Sequence, residues 1–144
     1  MPMTFADYIV LSDAPIRLSA NPETGHPRSK ICKFQLPTNF FGETDSTKAV
    51  LMFRTTVLAD HDTRVNVYVN PVPTQTTSSG FPTVEDYFAE LPKNYFGLQM
   101  EALDGSKFKK GQENKIVVTI SGDGKHKFGD VIIGDIVILI QRMA

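Results

Sequence analysis

The chain has 144 residues, enough for one domain with a hydrophobic core of its own. Its 15 Lys and Arg residues nearly balance its 16 Asp and Glu residues, and the net charge of -1 argues against a nucleic-acid partner. The single cysteine excludes an internal disulfide, so the sequence does not indicate a disulfide-stapled secreted scaffold.

The hydrophobic segments predict neither a signal peptide nor a membrane anchor. Asp7 and Asp13 interrupt the apolar positions near the N-terminus, where a signal peptide would need an unbroken apolar core. The most apolar run, Val131 to Ile140, is about half as long as a membrane helix and contains Gly134 and Asp135. We therefore expect no membrane insertion and, by default, a cytoplasmic location.

The first part of the chain predicts strands separated by turns. Phe5 to Leu11 and Ile16 to Leu18 have strand character, with a break at Ser12 to Pro15. A segment rich in turn formers leads into a third strand, Lys30 to Leu36. Alternation along this strand places Cys32 on the apolar face, which predicts a buried and unreactive thiol.

The stretch from Ala49 to Asn70 is predicted to be a hairpin around which the other strands pack. Its first strand, Val50 to Leu58, is largely apolar on both faces and is expected inside a sheet or under a cover. Its second strand alternates, with valines on the face predicted for the core and polar residues on the other. These sets are Val65, Val67 and Val69 against Asn66, Tyr68 and Asn70.

The second half of the chain predicts one short helix and three further strands. The helix is expected near residues 83–91, because Thr83 can cap it and apolar residues from Val84 to Leu91 recur at helical spacing. The strands are Tyr95 to Leu103, Lys115 to Ser121 and Val131 to Gln141. The last is apolar on both faces, so it must be central or covered.

These elements predict an all-β fold, with residues 1–144 forming a single antiparallel β-sandwich. About seven short strands with turn signals between them fit this class. The expected strand pairs are mostly non-local, which favours a Greek-key or jelly-roll winding over a simple meander.

Four segments together resemble small jelly-roll domains of the galactose-binding-like type: Ala49 to Phe53, Val65 to Asn70, Glu113 to Val118 and Ile133 to Ile138. That family includes many carbohydrate-binding modules and uncharacterised prokaryotic single-domain proteins. The resemblance covers most of the chain from Ala49 onward, and it implies a lectin-like module without catalytic activity. Two features depart from the family. Asn70 and Pro71 replace a glycine turn, and the chain has no Trp, so sugar stacking would fall to Tyr or Phe.

The candidate ligand site is the polar row of the second hairpin strand. Asn66, Tyr68 and Asn70 offer amide groups around one aromatic ring, which suits the hydroxyl groups of a sugar. The alternative for this row is an ordinary solvated strand face.

The adjacent turn adds a second set of candidates, Asp60, Asp62 and Arg64. Asp60 and Asp62 also offer oxygen ligands to calcium, but their spacing matches no EF-hand, and a solvated turn is the favoured interpretation. No cofactor is therefore predicted, with calcium as the minor alternative.

Catalysis has the least support, because the sequence contains no nucleophile elbow and no zincin helix. The main competitor of glycan binding is a structural or assembly subunit. In this hypothesis the two-faced apolar strands, Val50 to Leu58 and Val131 to Ile140, form a homo-oligomer or bind another protein.

Overall fold

A computed structural model describes residues 4–42, 48–59, 61–71, 86–122 and 129–143. Within these residues the chain forms nine strands and two short 3-10 turns. The strands are β1 (Thr4–Ser12), β2 (Ile16–Ser19), β3 (Ser29–Gln35), β4 (Lys48–Val57), β5 (Thr63–Val69), β6 (Tyr87–Leu91), β7 (Phe96–Asp104), β8 (Glu113–Gly122) and β9 (Asp130–Met143). In these parts of the chain no helix has the length and apolar character needed to cross a membrane.

The strands form two antiparallel sheets packed face to face. Sheet A has the order β1-β9-β4-β7, with β2 also paired to β9, and sheet B has the order β3-β8-β5-β6. Most consecutive strands lie in different sheets, as in a jelly roll. The core between the sheets includes fully buried Phe53, Val67, Ile116 and Ile138. The predicted all-β sandwich is therefore confirmed.

The predicted hairpin between β4 and β5 is wrong, because the two strands belong to different sheets. β4 pairs with β7 and β9, whereas β5 pairs with β6 and β8. Alternation identifies the buried face of a strand but not its neighbours, so the apolar faces of β4 and β5 meet across the core. The connection is also shorter than predicted, since Thr63 and Arg64 already belong to β5.

The helix predicted near residues 83–91 is contradicted where the chain is described. Tyr87–Leu91 forms β6, and residues 83–85 lie outside the described residues. Leu91 is buried and Tyr87 half-buried, whereas Phe88 and Glu90 are exposed, which is a period of two. A spacing of four residues, as between Tyr87 and Leu91, suits both a helix and a strand. The aromatic content and pairing with β5 favour the strand.

β9 lies inside sheet A, as its two apolar faces predict, and it contains an irregularity. The register with β4 shifts between Met52 and Arg54, opposite Asp135 and Ile136. Asp135 adopts a left-handed backbone with φ 52, a conformation that Asp tolerates. This bulge keeps isoleucines on both sides of it in the core, and these are Ile133, Ile136, Ile138 and Ile140.

A buried amide closes one end of the sandwich. The Asn114 side chain is 0% exposed. Its Nδ2 donates to the carbonyls of Lys109 (2.8 Å) and Gln112 (3.0 Å). Its Oδ1 accepts from the Lys109 amide (2.8 Å) and from Asn70 Nδ2 (2.9 Å). All its donors and both acceptor positions are used, so Asn114 fixes the segment that precedes β8.

Replacing Asn114 with Ala should lower the free energy of unfolding by about 2–4 kcal/mol, because several buried backbone groups lose their partner. Urea denaturation measures this change. The control Gln35→Ala removes an exposed side chain at the end of β3 and should change stability by less than about 0.5 kcal/mol. Equal effects of the two substitutions would contradict the role given to Asn114.

Gly129 provides a second test of the packing, because a Cβ there would lie 2.6 Å from Thr63 Cγ2 and 2.7 Å from the Ser121 carbonyl oxygen. Gly129→Ala should therefore destabilise the fold by about 1–3 kcal/mol in thermal or urea unfolding. Gly134→Ala is the matched control, since its new Cβ would meet only Pro15 at 3.6 Å, an ordinary contact. A neutral Gly129→Ala would show that this close approach is not enforced.

Candidate functional site

The three residues of the predicted polar row, Asn66, Tyr68 and Asn70, do not stay together, because β5 ends before Asn70. Asn66 and Tyr68 lie on the outer face of sheet B, but they are only 8% and 7% exposed. Asn70 follows β5 with φ 45, and its Nδ2 donates to the carbonyl of Lys107 (2.8 Å) and to Asn114 Oδ1. The Asn70 amide therefore works within the fold, and the three side chains do not form one open surface.

The residues of the predicted turn are only partly described. Asp60 lies outside the described residues, and Asp62 is exposed. His61 Nδ1 lies 3.0 Å from the carbonyl oxygen of Asp62. Among the residues with described positions, no group of three His, Cys, Asp or Glu is arranged to hold a metal ion. Because Asp60 belongs to the set considered for calcium, the described residues do not test this minor alternative, and the prediction of no cofactor stays a prediction.

A polar and aromatic cluster occupies the outer face of sheet B at its β6 edge. Cross-strand pairing places Phe88 opposite Asn66 and Glu90 opposite Arg64. The Arg64 guanidinium carbon lies 3.9 Å from the centre of the Phe88 ring. Arg64 Nε also donates to Asn66 Oδ1 at 2.9 Å. We call these four residues the Arg64–Phe88 cluster.

The cluster joins an accessible ring to fixed polar groups. Phe88 is 49% exposed, and the Arg64 guanidinium covers one face of its ring, so a ligand would pack on the surface that remains open. Arg64 is held both by its contact with the ring and by its bond to Asn66, which reduces the freedom it would lose on binding. Glu90 is exposed and supplies an acceptor. The arrangement can pack against an apolar ligand face and bond to hydroxyl groups at its rim.

Two of the four cluster residues, Arg64 and Asn66, are among the predicted ligand residues, and two are new. The sequence predicts a helix for the segment that contains Phe88 and Glu90, and in a helix these residues would not lie opposite β5. The signal in the sequence is the alternation of Tyr87, Ala89 and Leu91 with Phe88 and Glu90. In a strand the first set points to the core, where the structure places it, and Phe88 and Glu90 lie on the other face.

A cleft of about 420 Å³ lies at the end of the sandwich near the connection between β4 and β5. It is lined by Asn21, Thr24, His61 and Asp130, among others. Several of its polar groups hold the surrounding loops. Asn21 Oδ1 accepts from the Glu23 amide at 3.0 Å, and both carboxylate oxygens of Asp130 accept from Arg17. Among the described residues that line the cleft there is no Phe or Tyr on which a sugar could stack.

Cys32 is the free thiol of the chain and lies in the core beside Phe34. Burial raises the pKa of the Cys32 thiol, and the charge of Lys30 opposes this shift only in part. The thiol is therefore protonated at neutral pH, which makes it a poor nucleophile. Its burial agrees with the prediction from strand alternation.

Comparison with known proteins gives a fold but no sequence family. No family model matches the chain, and no curated protein matches it either. The β-porphyranase of glycoside hydrolase family 86 from Bacteroides plebeius has a similar region, with a TM-score of 0.55 and 16% identity, over 98% of this chain and 21% of that one. Dimeric latent PorU from Porphyromonas gingivalis also has a similar region. Its TM-score is 0.54 at 10% identity, over 97% of this chain and 13% of that one.

A smaller structure matches over nearly its whole length. This is the CBM36-1 domain of a multidomain xylanase from the hindgut metagenome of Trinervitermes trinervoides. The TM-score is 0.51 at 9% identity, over 94% of this chain and 96% of that domain. The chain thus spans a small part of the two larger proteins and almost all of this domain. It therefore shares the β-sandwich fold of this domain.

Proposed function

We propose that this chain is a non-catalytic carbohydrate-binding module and that the glycan binds at the Arg64–Phe88 cluster. The observation that carries the proposal is the half-exposed Phe88 ring, fixed under Arg64 on a sheet edge with Asn66 and Glu90 beside it. A rigid sheet can hold such a site without the entropy cost of ordering a loop.

The chemistry of the cluster suits a sugar ring. A pyranose presents a face of C–H groups, which packs on an aromatic ring, and a rim of hydroxyl groups, which need donors and acceptors. Phe88 supplies the ring, Arg64 the donors and Glu90 the acceptor. Tyr8 and Phe96, which are also exposed, lie instead on the outer face of sheet A, where the exposed residues are largely apolar.

The charges of the cluster support binding rather than catalysis. Glycoside hydrolysis generally requires two carboxyl groups that flank the bond, and the cluster has one, Glu90. A solved structure with a similar fold is consistent with this choice, because the domain that matches over nearly its whole length is the CBM36-1 domain of a multidomain xylanase. Xylan-type chains are therefore the first ligands to try.

Isothermal titration calorimetry against xylo-, gluco- and galacto-oligosaccharides tests the proposal, with calcium and with chelator. We expect one class of sugar to bind, and Phe88→Ala to weaken that binding about tenfold or more, because about 1.4 kcal/mol of stacking is lost. Arg64→Lys should also weaken it, since Lys lacks the planar fork of Arg.

Phe41→Ala is the matched control for the ring, because Phe41 is exposed but contacts the end of β9 rather than sheet B. It should leave the affinity unchanged. Absence of binding by every sugar in both calcium conditions would overturn the proposal. Equal losses in Phe41→Ala and Phe88→Ala would show that the glycan binds elsewhere.

A further inference from the structure

The outer face of sheet A is apolar across its four main strands. Its five most exposed large apolar residues are each more than half exposed, and these are Tyr8, Val10, Phe96, Leu98 and Met100. They come from β1 on one edge and β7 on the other. The strands between them, β9 and β4, add half-buried apolar side chains. An apolar surface that continues from edge to edge indicates an interaction site rather than scattered hydrophobic residues.

The strand register shows that this surface is continuous. Cross-strand pairs align the side chains in rows that run across the sheet. One row is Tyr8, Leu139, Val50 and Ala102, and the next is Val10, Val137, Met52 and Met100. Because neighbours in a row lie on the same face, the two rows form one patch with no charged residue inside it.

The size of the face is sufficient for a specific interface. Strands lie about 4.8 Å apart and residues rise about 3.3 Å along a strand, so four strands and residues 132–139 of β9 give roughly 20 by 25 Å. Two such faces in contact would cover on the order of 1,000 Å², which is the lower size of specific protein interfaces.

The most exposed ion pair on this face lies on its two central strands. Arg54 of β4 and Asp135 of β9 form an ion pair of 2.7 Å, and both side chains are more than half exposed. The pair is neutral as a unit, so it gives no net repulsion to a second identical face. The pair is also oriented across the sheet, because the positive group lies on one central strand and the negative group on the other.

We propose that the outer face of sheet A binds a second copy of this chain, related by a two-fold axis that runs along the strands between β9 and β4. This axis places β9 of one copy over β4 of its partner, and β1 over the partner's β7. Each copy thus presents the same four strands of sheet A to the other copy, in reverse order, as an isologous interface requires.

The ion pair supports this axis over the alternative. With the axis along the strands, Arg54 of each copy faces the partner's Asp135, so opposite charges meet twice. An axis across the strands would instead place the Arg54 row against the apolar rows of the partner, where a charge loses its hydration without compensation. A partner of strong net charge would gain nothing from a face that is neutral and apolar.

Sedimentation equilibrium of the whole chain tests the proposal, at about 1–100 µM, a range in which interfaces of this size associate. We expect a dimer. Met100→Lys should give a monomer, because it places a charge opposite the partner's Val10. Ile31→Lys is the matched control, since Ile31 is similarly exposed (52% against 59%) but lies on sheet B, and this variant should remain a dimer.

Charge exchange tests the direction of the axis. Arg54→Asp makes the central pair wholly negative, and Asp135→Arg makes it wholly positive, so each variant alone should be monomeric. An equimolar mixture should form a heterodimer, because each acidic residue then faces a basic one. Thermal unfolding confirms that each variant is folded, which matters for Asp135→Arg at its positive φ.

A wild-type monomer over the whole range would overturn the proposal, and so would a dimer that Ile31→Lys breaks and Met100→Lys leaves intact. If the wild type is a dimer but the mixture of the two charge variants does not form one, the proposed axis is wrong. None of these results depends on sugar binding, since the Arg64–Phe88 cluster lies on the other sheet.

Discussion

The pairing of β4 with β9 is the contact on which the rest of the structure depends. Both strands are apolar on both faces, and they lie side by side in the middle of sheet A. Their inner side chains, including Phe53 and Ile138, fill the core against sheet B. The same two strands impose an apolar character on the outer face, because residues between core positions must point outward. The core and the proposed dimer interface are therefore two sides of one pair of strands.

The two outer faces of the sandwich differ in chemistry, which fits the two roles proposed for them. Sheet A presents apolar rows with a central ion pair, whereas sheet B presents Arg64, Phe88 and Glu90 at an edge. Association through sheet A would leave both sheet B faces pointing away from the axis. The dimer would then carry two glycan sites on opposite sides. Self-association and glycan binding, which compete as interpretations of the sequence, are compatible in the structure.

The sequence predicts the fold class and the buried faces because these depend on local alternation. Ile116, Val118 and Ile120, and the isoleucines of β9 from Ile136 onward, are buried as their spacing indicates. Alternation does not identify the neighbouring strand. The sequence therefore predicts that β4 pairs with β5, whereas the structure places them in different sheets. The site depends on that missing information, since Phe88 meets Arg64 only because β6 pairs with β5. The positive φ that turns Asn70 away from Asn66 is likewise not visible in the sequence.

The central claim is that a glycan contacts sheet B at the Arg64–Phe88 cluster, and chemical-shift mapping by NMR tests it most directly. The isotope-labelled chain would be titrated with the oligosaccharide that binds best. The account predicts that the largest shift changes fall on Arg64, Asn66, Phe88 and Glu90, with little change around the end cleft or on sheet A. Changes centred on Asn21 and His61, or on Tyr8 and Phe96, would contradict it, as would a spectrum that no sugar alters.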